Sequence, residues 1–93
     1  MNAPNTMREL MQEFHDLTKS YEAKINAPES NESIIVIGGT GERRYQIMAG
    51  SIHDLSLTLA VSMVELDELR QVVTAAYESF QVYKAYAATH FKA

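Results

Sequence analysis

Hydrophobic and polar positions divide the chain into three stretches, two with a helical period on either side of one that is strand-like. Met7, Leu10, Met11, Phe14, Leu17, Tyr21 and Ile25 recur at steps of three and four, with Arg8, Glu9, Gln12, Glu13, Asp16, Lys19 and Glu22 mostly between them. That spacing predicts an amphipathic helix. Thr6 and Glu9 stand at its start as a capping box, in which a hydroxyl and a carboxylate satisfy free amides. Pro28 biases Ala27 away from helix, so the helix should end before a polar connector over 27–33.

Ile34–Ile37 is β-branched throughout, and Gly38–Glu42 reads as a turn. From Arg44 to Ala49 the pattern alternates, with Tyr45 and Ile47 on one face. Together these predict a β-hairpin. The first strand is apolar at every position, which predicts burial of both its faces.

The third stretch runs from Ser51 to Phe91 without Gly or Pro. Ser51 and Asp54 form a second capping box. Leu55–Val64 carries no charge and has apolar residues on opposite faces, the signature of a buried helix. Helical periodicity continues through Leu66, Leu69, Val73, Ala76, Phe80, Tyr83 and Ala87. One rod would be ~60 Å long, whereas a compact chain of this size has a radius of gyration of about 12 Å. Compactness favours a break at Glu65–Asp67, with Asp67 as the new N-cap. The fold class expected is α+β in the order α-β-β-α-α. The expected core is Leu10, Phe14, Leu17, Ile35, Ile37, Tyr45, Ile47, Leu55, Leu59, Met63, Leu69, Val73, Ala76 and Phe80.

A length of 93 residues points to a single domain over 1–93, with 1–5 as a frayed end. The net charge of −4 argues against a nucleic-acid binder. No cysteine is present, which rules out disulfides and thiolate metal sites and fits a reducing cytosol. No signal peptide and no apolar run long enough to span a membrane is expected, so the localisation expected is cytoplasmic.

Candidate chemistry is sparse. Ile35–Gly41 looks like the first strand and glycine turn of a nucleotide-sugar-type short-chain dehydrogenase. That fingerprint needs a third glycine where Arg44 stands, and a helix where the pattern is strand-like. The same turn could hold an anion through Gly39, Gly41, Arg43 and Arg44, since glycine-rich turns expose amides and guanidinium groups suit phosphate. His15, His53 and His90 have no His or Cys three or four residues away, and no metal site is expected. Glu65, Asp67 and Glu68 fit a helix start better than an acid–base pair. No nucleophile–base signature or P-loop occurs, so neither an enzyme nor a cofactor is expected.

Gln71–Phe91 has only two charged residues before Lys92, Glu78 and Lys84, but five of the eight aromatics. Tyr77, Phe80, Tyr83 and Tyr86 lie along or beside its stripe. They are the expected anchors of a homo-oligomer, most simply a dimer, since aromatics dominate interface energetics. Gly50-Ser51-Ile52-His53-Asp54-Leu55, followed by Leu59–Met63 and Leu69, resembles a pattern in small uncharacterised accessory proteins of bacteria and their phages. The resemblance implies a mobile-element origin and carries no function. Two functions remain open: a cytosolic, self-associating interaction protein with an unidentified protein partner, or a binder of small anions or nucleotides at the hairpin turn.

Overall fold

The computed structural model describes residues 3–90. Its elements run α1 (Met7–Ile25), β1 (Ile34–Gly39), β2 (Arg44–Ala49), α2 (Ile52–Glu65) and α3 (Asp67–His90). The α+β order is therefore as the periodicities predict. The chain's contacts fall into two units, Met1–Thr58 and Leu59–Ala93, and the division lies inside α2.

In the first unit, Thr6 Oγ1 accepts the Glu9 amide at 3.1 Å and starts α1. Glu9 Oε2 accepts from the Asn5 amide at 3.0 Å, one residue earlier than a standard box. Met1 and Asn2 lie outside the described residues. Asn26 closes α1 by donating its amide to the Glu22 carbonyl. The connector then folds back, and the Tyr21 hydroxyl donates to Glu32 Oε1 at 2.7 Å. That bond to a carboxylate holds the Tyr21 phenol above its ordinary pKa.

β1 and β2 pair antiparallel from Ile34↔Ala49 to Gly39↔Arg44. The strands extend two residues beyond the expected Ile37, because Gly38 and Gly39 pair with Tyr45 and Arg44. Thr40 donates its amide to the Arg43 carbonyl at 2.8 Å, leaving Gly41 and Glu42 at the tip.

Residues opposite one another in a pair share a face of the sheet. Ile34, Val36 and Gly38 therefore share a face with Ala49, Ile47 and Tyr45. α1 covers that face. A Cβ on Gly38 would stand 2.9 Å from Met7 Sδ and 3.0 Å from Met11 Sδ, so glycine here admits the helix. The other face carries Ile35, Ile37 and Met48, and Ile37 is 73% exposed. Burial of both faces of β1 is thus not what forms. Placing Ile35 and Ile37 in one core with Tyr45 and Ile47 implies a register one residue away from the real one.

Gly50 ends β2 with φ +116°, and the second capping box forms with the Asp54 amide 3.0 Å from Ser51 Oγ. Leu55 is buried, and Ser33 Oγ bonds Thr58 Oγ1 at 2.8 Å, fastening the start of α2 to the residue before β1.

The buried apolar side chains are Met11, Ile25 and Leu55 alone among the described residues. Of the expected core only Leu55 is buried. Leu10, Ile35, Tyr45, Ile47, Leu59, Met63, Leu69 and Val73 are half-buried, while Phe14, Leu17, Ile37, Ala76 and Phe80 are exposed. α2 is not a buried helix either, since Leu57, Val61 and Val64 face solvent. A two-stranded sheet offers one helix-sized apolar face, and α1 occupies it.

In the second unit, α3 starts after a single non-helical residue, Leu66. The break falls where compactness places it, but Asp67 is not the backbone cap. The Leu66 carbonyl accepts the Leu69 and Arg70 amides. The Asp67 carboxylate instead accepts Arg70 Nε at 2.8 Å and Gln71 Nε2 at 2.7 Å. Those two donors hold it below the usual carboxylate range, Gln71 contributing most.

Candidate interaction surfaces

At the hairpin tip, the loop's polar groups are largely spent on the loop itself. Thr40 Oγ1 accepts the amides of Glu42 at 3.2 Å and Arg43 at 3.0 Å. The Thr40 amide goes to the Arg43 carbonyl. Arg44 Nη1 donates to the carbonyls of Thr40 at 2.8 Å and Arg43 at 3.2 Å. Of the four anion-site residues, Gly39 lies in β1, paired with Arg44, and Gly41 sits at the tip, where an added Cβ would meet nothing within 4 Å. No glycine of the loop has positive φ. An anion at this tip would compete with internal bonds for the amides of Thr40, Glu42 and Arg43 and for Arg44 Nη1, whereas the Gly39 and Gly41 amides and the Arg43 guanidinium enter none of these bonds.

α3 presents the four aromatics expected at an interface. Tyr77, Phe80, Tyr83 and Tyr86 are each at least half exposed. Tyr77 and Phe80 touch, with ring centroids 6.3 Å apart, and Lys84 Nζ lies 5.9 Å from the Phe80 ring centre. Val72 and Val82 add exposed apolar surface on other sides of the helix.

A third surface has no counterpart in the sequence pattern. Two adjoining clefts run between α1 and β2. One, of about 340 Å³, is lined by Arg8, Met11, Gln12 and His15 of α1 and by Arg44–Ile47 of β2. The next, of about 240 Å³, is lined by His15, Thr18, Lys19 and Glu22 and by Gln46–Ala49. α1 advances ~21 Å from Arg8 to Glu22, and six strand residues span ~20 Å. The helix therefore runs along the whole length of β2, whose outer edge is the one away from β1.

The backbone groups on that edge follow from the register. The Thr40–Arg43 bond and the pair Gly38↔Tyr45 fix which residues bond inward. Tyr45, Ile47 and Ala49 turn their N–H and C=O to β1, so Arg44, Gln46 and Met48 turn theirs outward. No third strand joins the sheet among the described residues. Arg8, on the wall, makes no ion pair or hydrogen bond among the described residues. Glu22, at the far end, lies 3.6 Å from Lys19 Nζ in an exposed pair. Neither the pairing of α1 with β2 nor the direction of the edge groups is visible in a one-dimensional pattern.

Among the described residues no group of three or more His, Asp or Glu is placed to hold a metal ion, and no helix is long and apolar enough to cross a membrane. No protein family, curated protein or solved structure matches this chain.

Proposed function

We propose that the chain is a small, non-enzymatic interaction protein of the cytosol that works as a homo-oligomer, most simply a two-fold dimer, with the aromatic stripe of α3 in its interface. One observation supports this reading: α3 leaves Tyr77, Phe80, Tyr83 and Tyr86 each at least half exposed, apolar and aromatic surface of the kind that a partner chain covers. With three buried apolar side chains, the described residues offer little of the core that stabilises a domain of this length.

These four aromatics are the large side chains best suited to anchor a contact. The absence of cysteine fits a reducing compartment, and the resemblance to phage and bacterial accessory proteins supports an origin in a mobile element. Light scattering coupled to size exclusion at micromolar concentration tests the reading. A mass of twice 10.4 kDa or more supports it, and a clean 10.4 kDa species sinks it.

A further inference from the structure

We propose that two copies of the chain also join through the outer edges of β2, making a four-stranded antiparallel sheet β1-β2-β2-β1 about a two-fold axis at Gln46. The inference deepens the self-association proposed above and rests on it. Its starting point is the open edge. Arg44, Gln46 and Met48 direct their backbone donors and acceptors outward, and no strand, bulge or proline of β2 blunts that edge. A second β2 laid antiparallel must pair outward residues with outward residues. The register that uses all three pairs Gln46 with Gln46 and Arg44 with Met48 of the second copy, forming about six backbone hydrogen bonds. A slip of one residue would face outward groups with inward ones, and a slip of two would leave one outward residue without its partner.

Charge on the walls selects the same register. The clefts align Arg8 with the Arg44 end of β2 and Glu22 with the Ala49 end, with His15 beside Gln46. Rotation about Gln46 therefore brings Arg8 of each copy alongside Glu22 of the other. Arg8 has no partner in its own chain among the described residues, and Glu22 has only the exposed contact with Lys19. Opposite charges meet twice per dimer, and the pairing is self-complementary, as a two-fold contact requires. On the far face, the stem of Arg44 comes beside the exposed Met48 of the other copy.

The chain has no cysteine, so a single Gln46→Cys substitution reports on the axis directly. Paired residues in this geometry have Cα atoms about 5.5 Å apart, within disulfide range. Gln46→Cys should form a disulfide-linked dimer under mild oxidation. Ile37→Cys, on the neighbouring strand opposite Gln46 and also exposed, should remain mostly monomeric on a denaturing gel. Charge exchange gives the second arm. Arg8→Glu alone and Glu22→Arg alone should each weaken association about tenfold, counting two pairs per dimer, and the double exchange should restore it. If the chain associates but Gln46→Cys links no better than Ile37→Cys, or the double exchange is as weak as the single ones, strand pairing is overturned while self-association stands. If the unmodified chain does not associate, both fall together.

Discussion

A Cβ at Gly50 would lie 2.8 Å from Ser33 Cβ and 3.0 Å from the Glu32 carbonyl oxygen, and the residue's φ of +116° is one that L side chains rarely adopt. Neither obstacle can swing away, since one is backbone and the other is fixed at Cβ. Gly50→Ala should therefore cost about 2 kcal/mol or more, read as a lower midpoint in urea unfolding. At Gly38 the obstacles are the thioether ends of Met7 and Met11, which can change rotamer. Gly38→Ala should cost less than Gly50→Ala, and a reversed order in the same titration would mean that α1 is held more rigidly against β1 than this packing suggests. Leu55 is one of three buried apolar residues among the described ones, and Leu55→Ala should cost about 2–4 kcal/mol. In a chain with so small a core, that is enough to shift the unfolding transition to near zero denaturant.

At the level of elements, the start of α3 and the edge of β1 each yield a measurable pattern. The Asp67 carboxylate is held below its ordinary pKa by Gln71 and Arg70. A lowered folded-state value means that its contribution is present above the unfolded carboxylate pKa and is lost as pH falls through the folded one. Asp67→Asn should lower stability in the neutral region and leave the acid end nearly unchanged, so that the acid limb of thermal melts from pH 5 downward flattens; an acid limb as steep as that of the unmodified chain would show that the Gln71 and Arg70 bonds do not persist in solution. In β1 the amides of Val36 and Gly38 point to β2 and those of Ile35 and Ile37 point away. Hydrogen exchange should be at least about tenfold slower at Val36 and Gly38, and uniform rates would contradict this register. The elements themselves are legible in the sequence because periodicity survives in one dimension: the stripe of α1, the alternation of β2 and the capping residues Thr6 and Ser51 all mark what forms. The face of β1 is not legible, because Ile34-Ile35-Val36-Ile37 is apolar at every position and alternation cannot choose between its sides. Asp67 misleads for a related reason. An acid beside a helix start suits the dipole whether or not it caps the backbone, and the choice is made by Arg70 and Gln71 one turn on.

For the whole molecule, the imbalance between surface and core governs behaviour. Phe14, Leu17, Val61, Val64, Tyr77, Phe80, Tyr83 and Tyr86 remain open to water in the lone chain, at about 25 cal/mol for each Å² of apolar area that a partner could cover. If association supplies that cover, folding and association are linked, and stability depends on protein concentration. The melting temperature should then rise by several degrees between about 2 and 200 μM chain, because each tenfold gain in concentration adds roughly 1.4 kcal/mol for every mole of dimer. Tyr83→Ala plus Tyr86→Ala should remove much of that rise and lower the melting temperature at the high end, while helix content by circular dichroism at low concentration stays close to that of the unmodified chain. Both side chains are at least half exposed, so truncation uncovers little apolar surface in a monomer, whereas an interface would lose its anchors. A melting temperature independent of concentration would show that the lone chain is stable with its apolar surface in water. A slope that survives the double substitution would keep the oligomer and move its interface off α3.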